Sequence, residues 1–175
     1  MKTLLVFIIV FLGTALQAQK MYKHKLENCS PQFQLEDKSI TLEYTKGDSL
    51  LIMDIMDGAE KKHIQRLKGI LALQIILDSA GNSCLVSYDH RFNMLRKPFD
   101  IVENVNALEA WEGTGNNTYR SIFMKIYFEK KQIRMQRLGY NRNTGWTILL
   151  MKTFMKEEEL EDVKSSTKNK KDNEQ

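Results

Sequence analysis

The stretch LKGILALQIILDSAGNSCLVS, residues 67–87, decides the fold class of this 175-residue chain. Its first half, Ile70 to Leu77, is almost wholly apolar, which is typical of a central strand that is covered on at least one face. The polar run from Asp78 to Asn82 has the composition of a turn. Since Ser83 to Asp89 then has the pattern of a second strand, the stretch predicts a β-hairpin.

Downstream of this hairpin, the pattern predicts a helix, a second hairpin and a terminal helix. Phe99 to Ala110 carries apolar residues on one stripe, so we expect a helix that crosses back over the sheet. Alternating residues predict a strand over Ile122 to Phe128, a turn at Glu129 to Gln132 and a return strand over Ile133 to Leu138. Apolar residues recur after that hairpin and are interpreted as a C-terminal helix over residues 145–163.

Upstream, a short strand pattern covers Ser39 to Tyr44, and a helix begins at Asp48 or Ser49 and runs to about Arg66. Gly58 weakens this helix, so a break at that point would be unsurprising. Gly69 provides a C-terminal stop. Together the elements predict an α+β fold. An antiparallel sheet of about three to five strands carries two helices on one face, in the order α-β-β-α-β-β.

The first nineteen residues have the layout of a secretory signal peptide, with Lys2, an apolar run from Leu4 to Leu12 and cleavage near Ala18. The run is shorter than the ~20 residues that span a bilayer, and an uncleaved anchor is the alternative. We expect a periplasmic or secreted protein without a membrane span in the mature chain. Its parts are an N-terminal arm (20–38), an α+β domain (39–144), the C-terminal helix (145–163) and a disordered tail (164–175).

Export makes the two cysteines, Cys29 and Cys84, candidates for a disulfide that ties the arm to the sheet. The alternative is a buried Cys84 and a free surface thiol at Cys29. None of the three histidines stands in a context that marks a catalytic base, and the sequence contains no Gly-rich phosphate loop or paired-acid motif. Metal ligands at matched spacing are also missing from the sequence. We therefore expect a non-catalytic protein without a metal or cofactor.

Two segments resemble the TonB C-terminal domain family. Residues 67–87 are similar to the strand, turn and strand of that family, in which a glycine precedes an apolar strand and an Asp-x-x-Gly-x turn follows it. NALEAW (106–111) and, after a loop, SIFMKIYFE (121–129) resemble its helix, tryptophan and final strand. The resemblance covers residues 67–137. It implies a binding fold whose exposed sheet edge accepts an extended peptide as an added strand.

The chain also departs from the energy-transducing members of that family. Those proteins have a transmembrane anchor and a long Pro-rich spacer, whereas this chain contains two prolines and places Glu112 and Gly113 after Trp111. The resemblance therefore implies a stand-alone exported binding module rather than a force-transmitting protein. A structural or accessory subunit of an envelope complex is the alternative, and a small hydrolase is a weaker one.

The second hairpin is the binding edge that the resemblance implies, with Lys125, Tyr127, Arg134 and Gln136 as partner-contacting residues. Between residues 119 and 138, six cations stand against one acid. This charge fits an acidic peptide, anionic lipid or polysaccharide, although lysines more ordinarily protect an edge strand from aggregation. A protein or peptide partner is expected. Nucleic acid is not, because the chain's charge of +4 falls to about +3 without the lysine of the signal peptide.

Overall fold

The computed structural model describes residues 20–30, 32–39, 42–94, 96, 99–113 and 119–156. The expected signal peptide (1–19), the disordered tail (164–175) and the last seven residues of the expected C-terminal helix (157–163) lie outside the described residues. None of the helices in the described part of the chain has the length and hydropathy of a membrane-spanning segment.

The described residues form three short helices and nine strands. The helices are α1 (Asp48–Ile55), α2 (Lys61–Arg66) and α3 (Ile101–Asn106). The strands, in chain order, are β1 (His24–Lys25), β2 (Gln34–Leu35), β3 (Glu43–Tyr44), β4 (Gly69–Leu77), β5 (Ser83–Phe92), β6 (Trp111–Glu112), β7 (Arg120–Phe128), β8 (Gln132–Asn141) and β9 (Gly145–Met155). The fold is α+β and mostly antiparallel, as predicted, but it has more strands than the three to five expected and three helices instead of two.

The main sheet has seven strands, with β4 near its centre. Its order is β1-β5-β4-β7-β8-β9, and β2 pairs in parallel with the first residues of β7. β3 and β6 form a separate two-stranded sheet. Residues 71–77 of β4 are all buried, which explains why the sequence of this strand is almost continuously apolar. The predicted central strand and its hairpin with β5 are confirmed.

The three helices cover one face of the main sheet. Leu71, Leu73 and Ile75 of β4 are fully buried in a core that also contains Ile55 of α1 and Val105 of α3. Burial of each such side chain stabilises the fold by roughly 1.5–3 kcal/mol. The alternation predicted for β7 also holds, since every second residue from 122 to 128 enters this core.

The N-terminal arm covers the opposite face of β4 and β5. The backbone N–H of Met21 donates to Gln74 Oε1 (3.0 Å), and that of Tyr22 donates to Ser87 Oγ (3.2 Å). The sulfur atoms of Cys29 and Cys84 are bonded at 2.00 Å, with their Cα atoms 5.7 Å apart. The structure thus joins the arm to the sheet through a disulfide.

Several predicted boundaries need correction. The helix expected over 145–163 is wrong for residues 145–155, because this segment pairs with β8 along its whole length. The helix expected from Asp48 to Arg66 is divided into α1 and α2, with Gly58 between them at φ +77°. The helix expected from Phe99 to Ala110 is shorter, since only Ile101–Asn106 is helical. The upstream strand is limited to Glu43 and Tyr44 among the described residues, and residues 40–41 of that prediction lie outside them.

Candidate functional site

The hairpin expected to bind a partner is not at a sheet edge. β7 pairs with both β4 and β8, and β8 pairs with both β7 and β9. The prediction that Lys125, Tyr127, Arg134 and Gln136 lie on an exposed edge is therefore wrong. The reason is that the residues after Gly145 add a further strand instead of a helix. Among the described residues no strand pairs with the outer side of β9, so β9 and β1 are the two edge strands of the sheet that these residues form.

The same four residues nevertheless come together on one surface. Lys125 lies opposite Gln136 and Tyr127 lies opposite Arg134 in the β7–β8 pair. The Tyr127 hydroxyl donates to Gln136 Oε1 (3.1 Å), and the Arg134 guanidinium lies 4.7 Å from the centre of the Tyr127 ring. Arg134 also pairs with Glu129 (3.0 Å). All four alternate with core residues along their strands, so they point away from the helices.

We call the surface of β7, β8 and β9 that points away from the helices the open face. On β9 it presents four large apolar side chains, Trp146, Ile148, Met151 and Met155, which are 44%, 50%, 51% and 42% exposed. The Trp146 ring packs edge-on against rings of the neighbouring strands, with centroid distances of 4.9 Å to Phe123 and 5.3 Å to Tyr140. Contiguous exposed apolar surface of this kind marks interaction sites.

A β-bulge keeps the apolar side chains of β9 on the open face. The register passes from Arg137 opposite Leu150 to Leu138 opposite Ile148, so Leu149 is an extra residue. Leu149 packs where Gly139 leaves room, since a Cβ on Gly139 would lie 2.6 Å from Leu149 Cδ1. As a result, Ile148 and Met151 both point outward although they are three residues apart.

A cavity of about 490 Å³ lies on the other side of β8 and β9, beside a buried ion pair. The guanidinium of Arg137 donates to a carboxylate oxygen of Glu36 and to the carbonyl oxygen of Leu42. Glu36 and Arg137 are 3% and 4% exposed. Burial raises the pKa of Glu36 to about 7, because desolvation outweighs the opposing effect of Arg137. The pair fastens the arm to β8.

The cavity lining combines charged and apolar side chains. Lys152 of β9 pairs with Asp48 at the start of α1, and the Tyr44 hydroxyl donates to Asp54 Oδ2 (2.6 Å). Across the described ranges there is no group of three or more His, Cys, Asp or Glu residues that could hold a metal ion. The open face, which presents the exposed apolar side chains of β9, is the candidate site.

No family model matches this chain, and no curated protein or solved structure matches it either. The resemblance to the TonB C-terminal domain family thus rests on the sequence of residues 67–137 alone. The structure shows how the residues that carry this resemblance contact each other. A Cβ on Gly81 would lie 2.4 Å from the carbonyl oxygen of Trp111. Trp111 Nε1 donates to Ser83 Oγ (2.9 Å). The Asp-x-x-Gly-x turn and the tryptophan, which carry the resemblance, therefore pack against each other.

Two features, one on the open face and one beside the cavity, had no clear signal in the sequence. The apolar strip on β9 was hidden because the bulge at Leu149 places Ile148 and Met151 at a spacing of three, which is typical of a helix. The pairing of Glu36 with Arg137 joins residues that are 101 positions apart, and no local pattern marks such a contact.

Proposed function

We propose that this protein is a non-catalytic, exported binding module that takes up an extended protein segment along the edge of β9. The observation that carries the proposal is β9 itself. It is an 11-residue strand, its outer side pairs with no other strand of the described residues, and its open face is apolar. An extended peptide adds to such an edge through backbone hydrogen bonds, while its alternate side chains contact the neighbouring surface.

The composition of β9 supports this role. Native edge strands are usually short or carry proline and outward lysines that prevent pairing with other chains. β9 is long and contains no proline. Its one lysine, Lys152, is engaged by Asp48 on the helix side of the sheet. The bulge at Leu149 remains as a local irregularity, which limits uncontrolled stacking of further strands.

The proposed location outside the cytosol rests on two further observations. Residues 1–19 have the pattern of a signal peptide, and Cys29 is disulfide-bonded to Cys84, a bond that persists mainly in oxidising compartments. A TonB C-terminal-like arrangement is supported by the element order from α1 to β8, in which two short helices, two strands, a third helix, the two-residue β6 and two long strands follow one another. We place the protein in the periplasm or outside the cell.

A peptide selection with matched variants tests the function. A random 12-residue peptide library is panned against the disulfide-bonded chain, and selected peptides are titrated by fluorescence anisotropy. We expect Ile148→Lys with Met151→Lys to weaken binding at least about tenfold, since two apolar contacts are lost. Leu50→Lys is the control, because Leu50 is 40% exposed on α1. Such surface substitutions change stability by about 0.5 kcal/mol or less. Equal binding by all variants would contradict the proposal.

Strand addition has its own signature in the peptide backbone. In an added strand, alternate N–H groups point toward the protein edge and the others point to solvent. Two versions of one selected peptide, N-methylated at odd or at even positions, should therefore differ, with only one version losing affinity. If both versions bind equally well, the peptide contacts the open face without joining the sheet.

A further inference from the structure

Given the proposed function, on which this step rests, we infer that the segment bound at β9 is an extended peptide with an apolar centre and acidic side chains at both ends. The partner chemistry follows from the positions of three exposed cations, Lys130, Lys131 and Arg142, near the two ends of β9.

Positive charge is concentrated in the part of the chain that forms the open face. Residues 119–156 contain one acid, Glu129, and nine cations, so this part carries +8, whereas the whole chain carries +4. The remainder of the chain is therefore net acidic at −4. The nine cations are Arg120, Lys125, Lys130, Lys131, Arg134, Arg137, Arg142, Lys152 and Lys156.

Several of these cations are already engaged within the protein. Arg134, Arg137 and Lys152 each pair with a carboxylate. The buried Lys156 ammonium donates to the carbonyl oxygen of Leu67 (2.7 Å), at the end of α2. By contrast, three cations in the two turns beside β9 are exposed and form no ion pair with the described residues, namely Lys130, Lys131 and Arg142.

The two turns place these three cations at opposite ends of β9. Lys131 adjoins the carboxyl end, because its carbonyl oxygen accepts a hydrogen bond from the N–H of Lys156 (3.0 Å). Arg142 lies in the turn from β8 to β9, at the amino end. A strand of this length spans roughly 35 Å, and its exposed middle carries Ile148 and Met151. A matching segment is therefore acidic at its ends and apolar between them.

The same charges disfavour a second copy of this chain as the occupant. Antiparallel pairing of β9 with β9 of another copy places the start of each strand beside the end of the other. Arg142 of each copy would then face Lys130 and Lys131 of its neighbour. Like charges that are brought together in an interface oppose association, whereas carboxylates at the same positions favour it.

Charge-reversal variants test the inference on the intact, disulfide-bonded chain. The triple variant Lys130→Glu, Lys131→Glu, Arg142→Glu should bind a selected synthetic peptide at least about tenfold more weakly than the wild type at 50 mM NaCl. The wild-type affinity should also fall as salt is raised to 300 mM, since exposed charges are screened. The control variant reverses three exposed cations near the opposite edge of the sheet, at β1 and β5, namely Lys23, Lys25 and Arg91. It therefore has the same change in net charge. Reversal of these three should change the affinity less than about twofold.

The possible outcomes distinguish the charge inference from the proposed function on which it rests. Peptides enriched in acidic residues at both ends support the inference. Apolar peptides without acidic enrichment, or equal weakening by both charge variants, overturn it and leave peptide binding at β9 intact. Failure to select any peptide that depends on Ile148 and Met151 overturns both. Binding to phosphatidylglycerol vesicles in place of peptides also overturns the inference.

The chain itself provides one acidic competitor, because residues 157–162 contain five acids directly after the last described residue. A chain that ends at Lys156 distinguishes this segment from an external partner. If both the full chain and the shortened chain select peptides with acidic ends, the result supports an external partner. Peptide binding by the shortened chain alone would assign the edge to the chain's own C-terminal segment and overturn the external partner.

Discussion

Replacing both cysteines, by Cys29→Ala and Cys84→Ala, is expected to lower the free energy of unfolding by about 4 kcal/mol. The disulfide closes a loop of 55 residues. In the chain-entropy treatment, such a cross-link removes about 14 cal/mol/K from the unfolded chain, which is about 4 kcal/mol at 25 °C. Since domains are stable by only about 5–15 kcal/mol, this is a large share of the total.

Urea unfolding followed by tryptophan fluorescence measures this effect. Dithiothreitol should shift the wild-type midpoint to that of the double variant and leave the variant itself unchanged. Thiol titration of the denatured, nonreduced wild type should detect no free thiol. The entropic reasoning would be refuted if the double variant lost less than about 1 kcal/mol of unfolding free energy while the dependence of that free energy on urea concentration stayed the same. Two free thiols in the wild type would refute the bond itself.

Three further substitutions test other parts of the fold. Burial raises the pKa of Glu36 from 4.5 to about 7 in the folded chain. As pH rises, the Glu36 carboxyl group therefore loses its proton in the unfolded chain at a lower pH than in the folded chain. Stability should therefore fall by about 3 kcal/mol between about pH 4.5 and pH 7, and Glu36→Gln should remove that part of the slope in urea titrations; identical slopes would contradict it. Gly81→Ala should cost at least about 2 kcal/mol by the same assay, because φ is +85° and the new Cβ would meet the Trp111 carbonyl; Gly145→Ala, where nothing lies within 4 Å, is the control for positive φ alone. Trp111→Phe removes a donor to buried Ser83 and should lower the melting temperature, at a cost of about 1 to 2 kcal/mol; an unchanged melting temperature would show that the bond contributes little.

The central part of the fold could be predicted because its sequence signal is local. β4 is buried along 71–77, so nearly every residue must be apolar, and a turn of small polar residues follows it. The face of the second hairpin was also predictable, since alternation along β7 separates Lys125 and Tyr127 from the core residues. Such patterns depend only on neighbours along the chain.

The edge could not be predicted because an edge is defined by the strands around it. Nothing in residues 122–138 indicates whether a further strand will cover β8. The segment that does so, β9, contains a bulge that disrupts the period of two. Proline at Lys125 or Arg134, which would spare the fold at an edge, would instead remove ladder hydrogen bonds inside the sheet and is expected to unfold it.

The parallel pairing of β2 with β7 has a consequence for how the chain folds. Gln34 lies beside Arg120, a separation of 86 residues, so forming this contact closes a long loop at a cost in chain entropy. Proteins dominated by such distant contacts fold in milliseconds to seconds rather than microseconds. We expect the N-terminal arm to dock last, so that the face of β4 and β5 that it covers stays exposed to water until then. A refolding experiment should then show tryptophan burial before oxidation of the thiols.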